Sequence, residues 1–80
     1  FQVYPNPVVD HINIDFNTPV SGTVEAVIYD QFGRVIYSKD LTVVNRRAQL
    51  DITKAQLSNQ FYYLQIRSEG GRKLVRILKK

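Results

Sequence analysis

The feature that most constrains this chain is a pair of strand-like runs around a short turn, between Ala26 and Tyr37. Val, Ile and Tyr dominate both runs, and these residues favour a pleated, half-buried surface. Asp30 and Gly33 stand between the runs. An Asp carboxylate accepts hydrogen bonds from nearby backbone N–H groups, and glycine tolerates the positive φ of a type I turn with a bulge. The sequence therefore predicts a β-hairpin near the centre of a sheet, with Gly33 at positive φ.

The chain is short enough to form only one domain. Its 80 residues leave no room for a second core, so we predict a single domain over residues 1–80. The absence of cysteine excludes disulfides and thiolate metal sites, and it is compatible with the cytosol or with an extracellular location. No apolar run approaches the roughly 20 residues of a membrane-spanning helix. Because the sequence starts without a Met or a signal peptide, we expect it to be a piece of a longer protein.

Positive charge is concentrated towards residue 80. The net charge is +4, and residues 67–80 contain six basic residues against one acidic residue. The other residues carry five basic and six acidic groups. Such asymmetry can mark an end that meets an acidic partner. The alternative is a solvated edge strand whose Lys and Arg side chains discourage aggregation.

Alternation of apolar and polar residues indicates the remaining strands. The second arm of the hairpin is predicted at 34–39 and resumes at 41–44 after a bulge. With the first arm at 23–30, the chain has about seven short strands, which is typical of a two-sheet antiparallel sandwich. The other strands are predicted at 1–4, 11–16, 48–52, 61–67 and 72–78. The residues predicted to be buried are Ile12, Ile14, Phe16, Val24, Ala26, Ile28, Leu64 and Ile66.

Connections are marked by turn residues and by one ambiguous segment. Prolines end the first strand at 5–7, and a loop is predicted at 17–22. Turns are predicted at 45–47 and 69–71. Residues 53–60 fit at most one helical turn with Thr53 as its N-cap, but they are too few for an independent helix. We therefore predict a loop with at most a 3₁₀ turn, in which Leu57 enters the core.

Four motifs resemble, in order, those of one known family. Residues 4–7 (YPNP) resemble the opening of the C-terminal sorting domains of type IX secretion cargo. Residues 29–35 (YDQFGRV) are similar to the family's yDxxGrxv hairpin, and residues 57–62 (LSNQFY) resemble its LxxGxY element. Residues 71–77 (GRKLVRI) resemble its closing GxxxxKxxxx strand. No single motif is specific, but the four together span nearly the whole chain.

The chain departs from this family pattern at Gln60, where the family has glycine. If the position requires positive φ, Gln60 would be strained by roughly 1–2 kcal/mol. Alternatively, Asn59 supplies the left-handed residue and the turn shifts by one position.

The resemblance implies an all-β, immunoglobulin-like antiparallel β-sandwich at the end of a larger secreted protein of a Gram-negative bacterium. It implies a sorting signal that directs its cargo through the periplasm and across the outer membrane. The implied partners are the type IX translocon, an outer-membrane shuttle protein and a sortase-like surface peptidase that removes the domain. The candidate recognition residues lie in the hairpin motif and in the basic closing strand: Asp30, Gly33, Arg34, Gly71, Arg72, Lys73, Arg76, Lys79 and Lys80.

Catalysis has little support in the sequence. His11 is the only histidine, and no second His or Cys exists to build a tetrahedral metal site with it. Asp10, Asp15 and Asp30 would have to cluster in space to hold Ca²⁺, but no loop motif with ligand spacing supports this. The serines lack a partner base. We therefore predict no enzymatic activity, no cofactor and no metal.

The sequence allows two interpretations for some side chains and for the function of the domain. Arg34 is either a recognition contact or the partner of Asp30, and one of Tyr62 and Tyr63 should be buried while the other is more exposed. The alternative function is a carbohydrate- or cell-surface-binding sandwich appended to an extracellular enzyme, which requires an exposed aromatic platform or a metal on one sheet. Nucleic-acid binding would rest on the basic tail alone, so we predict neither a nucleic-acid partner nor membrane insertion.

Overall fold

A computed structural model describes residues 1–20 and 22–80 of the chain. The predicted loop at 17–22 includes Ser21, which lies outside the described residues. A 3₁₀ turn over Thr53–Ala55 is the only helical element in the described part. The prediction of about seven strands is confirmed, and the strands are β1 (Gln2–Tyr4), β2 (His11–Asp15), β3 (Thr23–Tyr29), β4 (Val35–Thr42), β5 (Arg47–Asp51), β6 (Phe61–Ser68) and β7 (Gly71–Leu78).

The strands form two antiparallel sheets that pack as a sandwich. One sheet has the order β1-β2-β5, and the other has the order β4-β3-β6-β7. The chain changes sheet between β2 and β3, between β4 and β5, and again before β6. This connectivity is that of an immunoglobulin-like Greek-key sandwich. β3 lies between β4 and β6, so the first arm of the hairpin is inside a sheet, as its apolar residues on both faces predict.

Alternate side chains from both sheets build the core. Seven of the eight residues predicted to be buried are buried. Phe16 is the exception because it lies one residue beyond β2, where its ring stacks on that of Phe1 with the ring centroids 6.0 Å apart. Leu57 is buried, as predicted. Val8 and Ile77 are also buried, although the sequence did not predict it.

β4 is one continuous strand, so the prediction of a bulge between Lys39 and Leu41 is wrong. The irregularity lies at the other end of the strand. Ile28 pairs with Tyr37 and Tyr29 pairs with Val35, which leaves Ile36 without a partner in the register. An extra residue beside a hairpin turn increases the local twist of the pair. Adjacent to it, Gly33 adopts a φ of 82°, which confirms the predicted turn.

Two further connections have well-defined geometry. Asn45 and Arg46 both have positive φ, and the residues that flank them exchange backbone hydrogen bonds of 2.9 and 3.0 Å. This is a type I′ turn, and it confirms the predicted turn at 45–47. Thr53 is not an N-cap, because it lies within the 3₁₀ turn and Ile52 precedes it without a side-chain cap. Its N–H and hydroxyl instead donate to Asp51 Oδ1 at 2.9 and 2.7 Å.

The strand register places the connections at two ends of the sandwich. Tyr29 pairs with Tyr63 in β6, and Phe61 pairs with Leu78 in β7. The hairpin turn, the loop before β6 and the end of β7 therefore lie at the same end. A parallel bridge between Val8 and the residue after β7 adds the proline-rich segment to it. We name this the motif end, comprising residues 5–10, 30–34, 52–60 and 78–80.

Candidate recognition surface at the motif end

The hairpin turn is organised by one buried carboxylate. Asp30 is 4% exposed, and its Oδ1 accepts hydrogen bonds from the backbone N–H groups of Phe32 and Arg34 at 2.8 and 2.9 Å. Its Oδ2 accepts from Arg34 Nε at 2.6 Å. The ion pair expected between Asp30 and Arg34 is therefore present, and a recognition role for Arg34 stays a prediction. The side chain of Asp30 therefore stabilises the turn in addition to the turn's own backbone.

The environment of Asp30 favours its charged form. Burial raises the pKa of the carboxyl group, but the hydrogen bonds from Arg34 and Phe32 outweigh burial and hold the pKa below its ordinary value. The guanidinium of Arg34 also lies over the ring of Phe32, 5.6 Å from its centroid. Phe32 is 84% exposed. The motif end therefore presents a large aromatic side chain on a rigid turn.

The loop before β6 is fixed around the hydroxyl of Tyr62. That oxygen accepts hydrogen bonds from Ser58 N at 3.0 Å and from Gln60 Nε2 at 3.0 Å, and it lies 3.1 Å from Ser58 Oγ. The ring of Tyr62 is buried, whereas Tyr63 is 36% exposed, which confirms the predicted division between the two tyrosines.

The departure from the family's glycine does not produce the predicted strain. Neither Asn59 nor Gln60 is among the residues with positive φ, and the left-handed residue in this region is Gln56, with a φ of 52°. Both predicted positions for the left-handed residue are therefore wrong. The loop turns earlier, at the end of the 3₁₀ turn, and the side chain of Gln60 is free to bind the hydroxyl of Tyr62.

The proline-rich segment is bound to the end of β7. Leu78 N donates to Asn6 Oδ1 at 3.1 Å, and Leu78 O accepts from Val8 N at 2.7 Å. Lys80 N then donates to Val8 O at 2.9 Å, and Lys79 N donates to Gln60 O at 3.0 Å. We name these four bonds the end clamp. They connect the first motif, the loop before β6 and the last residues of the chain.

The end clamp corrects one prediction about the last two residues. The strand predicted at 72–78 places Lys79 and Lys80 beyond the ladder, but their backbone N–H groups donate to Gln60 O and Val8 O. Lys79 and Lys80 take part in the clamp through their backbone groups, so the identity of their side chains is not needed for it. The Nζ of Lys79 donates to Lys80 O at 2.8 Å.

The structure does not bring all nine candidate recognition residues together. Asp30, Gly33 and Arg34 lie at the motif end, together with Lys79 and Lys80. The other four are spread along β7 towards the opposite end: Gly71, Arg72, Lys73 and Arg76. Gly71 and Lys79 are eight residues apart, which is roughly 26 Å along an extended strand.

The acidic residues near the single histidine have separate partners. His11 Nδ1 lies 2.6 Å from Asp10 Oδ1. Asp15 accepts from the hydroxyl of Tyr4 and lies 3.5 Å from Arg47 Nε. The hydrogen bond to Asp15 raises the pKa of Tyr4. Within residues 1–20 and 22–80, no three His, Cys, Asp or Glu side chains lie close enough to hold a metal ion.

Two structural features of the motif end go beyond the sequence-based predictions. Residues 5–7 predict only the end of the first strand, although an Asn side chain such as that of Asn6 often accepts from a backbone N–H group that lacks a partner. Val8 was not predicted to be buried, although it is fully buried and its backbone binds both Leu78 and Lys80. The signal that could have indicated its burial is an apolar residue directly after two closely spaced prolines.

Comparison with known proteins identifies one family. The model of the secretion system C-terminal sorting domain matches residues 2–80, which is nearly the whole chain and includes all four motifs. No curated protein matches it. No helix in the described part of the chain is long and apolar enough to cross a membrane.

Proposed function

Because the chain belongs to the family of type IX secretion C-terminal sorting domains, we propose that the secretion machinery reads the folded motif end. Membership of the family makes the domain a sorting signal for a secreted or cell-surface cargo. The finer proposal is that recognition requires the assembled surface and not merely a linear sequence of motifs.

The observation that carries this proposal is the convergence of the first three motifs at one end of the sandwich, where the strand of the fourth motif ends. Asn6 from the first motif and Gln60 from the third both bind the last residues of the chain. The hairpin turn with Asp30 lies at the same end because β3 and β7 both pair with β6. Segments that are distant in the sequence thereby lie at one end of the sandwich, where a partner protein can contact them together.

We place this surface in a complete export route. The domain ends a larger secreted protein of a Gram-negative bacterium, reaches the periplasm and is carried by an outer-membrane shuttle protein to the type IX translocon. A sortase-like surface peptidase then removes it. Phe1 packs against Phe16 at the end opposite the motif end. A cargo that precedes Phe1 would therefore leave the motif end accessible to the machinery.

A reporter fusion tests the proposal. Residues 1–80 are fused behind a periplasmic reporter in a cell with type IX machinery, and we expect the reporter outside the cell. Removing residues 72–80 should trap the reporter in the periplasm, because the deletion removes β7 and the end clamp. Replacing Lys79 and Lys80 by Glu reverses their charges but keeps their backbone bonds, so this variant separates charge from structure.

A matched pair of variants isolates the clamp. Asn6→Ala removes the acceptor for Leu78 N, whereas Asn17→Ala changes an exposed residue at the opposite end. We expect only the first to lower export, and thermal unfolding of both chains shows whether a loss of export exceeds the loss of folded protein. Equal export of the two variants would contradict the proposal that the secretion machinery recognises the motif end.

The alternative function has one supporting observation. Phe61 and Tyr63 lie on the outer face of the four-stranded sheet and are 41% and 36% exposed, but the guanidinium of Arg76 covers the ring of Phe61 at 4.5 Å. If the fusion stays in the periplasm while the isolated chain binds a polysaccharide, surface binding replaces sorting. Binding to DNA that collapses as salt rises would assign the basic residues to nucleic acid.

A further inference from the structure

β7 has an open backbone edge. Lys79 N donates to Gln60 O, towards β6, whereas the N–H and C=O of Leu78 are bound on the other side by the proline-rich segment. Backbone groups alternate in direction along an antiparallel strand. The N–H and C=O groups of Arg72, Leu74 and Arg76 therefore point away from β6, and no strand in the described part of the chain pairs with that side.

The open edge of β7 is basic and carries one apolar side chain. Arg72, Lys73 and Arg76 are exposed, and the strand contains no acidic residue. Leu74 lies between them on the outer face and is 60% exposed. The opposite edge of the same sheet differs, because β4 carries a bulge at Ile36 and residues of both charges. A bulge twists an edge away from an added strand, whereas the cations of β7 repel basic strands and attract acidic ones, so β7 is the better template for an acidic strand.

The charges on β7 disfavour a second copy of this chain as the occupant. An antiparallel pairing of two β7 strands about Leu74 would place Arg72 opposite the Arg76 of the second copy, twice. Like charges directly opposite each other in a sheet are destabilising. A strand with acidic residues at these positions would instead gain two cross-strand ion pairs in addition to the backbone hydrogen bonds.

We propose that β7 binds an extended acidic segment of another protein as an added antiparallel strand. The backbone of Arg72, Leu74 and Arg76 supplies the hydrogen bonds, the three cations select acidic side chains, and Leu74 contacts an apolar one. This is strand addition to a sheet edge, in which the backbone contributes affinity and alternate side chains contribute specificity. The proposal goes beyond sorting, because it concerns which peptides the domain binds and is measured on the isolated chain.

A peptide designed on the register tests the proposal. The probe is Thr-Glu-Val-Val-Glu-Glu-Thr, which in antiparallel pairing places Glu opposite Arg76, Lys73 and Arg72 and Val opposite Leu74. Binding to the 80-residue chain is followed by NMR titration, and we expect saturable shifts confined to β7 and the adjoining part of β6. A probe with Lys in place of Glu should bind at least about tenfold more weakly, because three attractive cross-strand pairs become repulsive. Binding of the acidic probe should also weaken as salt rises.

Two controls separate strand addition from simple charge attraction. The first is the same acidic probe with N-methyl groups on alternate amides, which keeps every charge but removes the hydrogen bonds. The second is a pair of proline variants, Leu74→Pro on β7 and Asp40→Pro on β4. Val43 N donates to Gly22 O, so by alternation the N–H of Asp40 also points outwards, and each proline removes one outward donor from one edge.

We expect Leu74→Pro to abolish binding of the acidic probe and Asp40→Pro to leave it unchanged. Equal binding of the N-methylated probe would overturn the proposal and leave only an electrostatic attraction. So would shifts centred on β4, a dimer formed through β7, or no binding up to about 1 mM. Because the N-methylated probe needs no change in the protein, the test holds even if a proline variant does not fold.

Discussion

Gly33 and Gly70 differ in the backbone angle φ, which determines how much a side chain at each position would change the stability of the domain. Gly33 has a φ of 82°, whereas Gly70 does not have a positive φ. Both lie in exposed hairpin turns, and a Cβ built at either position meets no heavy atom within 4 Å. The steric surroundings of a Cβ are therefore matched, and the two positions differ in backbone conformation.

The cost of alanine at each position follows from φ alone. An L-residue at positive φ costs about 1–2 kcal/mol, so we expect Gly33→Ala to destabilise the domain by that amount. Glycine to alanine at a compatible φ restricts the unfolded chain and stabilises by about 0.4–1 kcal/mol, so Gly70→Ala should be neutral or slightly stabilising. The two variants should thus differ by about 2 kcal/mol. Gly33→Val should cost roughly 1–3 kcal/mol, because a β-branched residue fits positive φ less well.

Urea denaturation followed by circular dichroism measures the difference. With a slope near 1 kcal/mol per M, typical of a small domain, the two alanine variants should have midpoints roughly 2 M apart. Coincident midpoints would refute the assignment of the cost to φ. A loss well above 3 kcal/mol for Gly33→Ala would show that the turn has lost its hydrogen bonds to Asp30 as well, and the pH dependence of that variant would then change.

Substitutions of three other side chains at the motif end should also change the stability of the domain. Asn6→Ala should cost about 1 kcal/mol by thermal unfolding, since it removes one hydrogen bond, and Asn6→Asp should restore most of it because an acceptor remains. Tyr62→Phe should cost about 1–2 kcal/mol, because it leaves the donors of Ser58 and Gln60 without their acceptor; an unchanged midpoint would contradict this. The pKa of Asp30 is lowered in the folded state, so its contribution to stability is full above the unfolded-state pKa of about 3.9 and is lost as pH falls through the folded-state pKa. Asp30→Asn should therefore be less stable at neutral pH and lose less stability on acidification, and parallel acid-unfolding curves for the two proteins would disprove this role.

The strands were predictable because each one carries its own signal. Alternation in β2 and β6 identifies the buried face without knowledge of the partner strands. The Asp30–Gly33 spacing identifies the turn because both residues act on backbone groups within four positions. Phe16 was misassigned for a related reason. Alternation shows on which face of a strand a residue lies, but it does not show where the neighbouring strand ends.

The end clamp was not predictable from the same signals. Asn6 and Leu78 are 72 positions apart, and nothing in the sequence around either residue indicates the other. The bulge at Ile36 is also absent from the sequence pattern, because it depends on how β3 and β4 accommodate the twist beside the turn. Gln60 shows a third limit: a family pattern fixes where glycine usually stands, but a neighbouring residue, Gln56, takes the left-handed conformation instead.

The wide separation of the two halves of the clamp has a consequence for truncated chains. Val8 lies near the start of the domain, but the backbone groups that bind it belong to Leu78 and Lys80, and such contacts carry the largest loop-closure cost in the domain. The sandwich therefore cannot close at the motif end until residues 78–80 have been synthesised. A polypeptide that stops before them retains the earlier motifs but lacks this closure. A partner that binds only the closed end would therefore distinguish a complete domain from a truncated one.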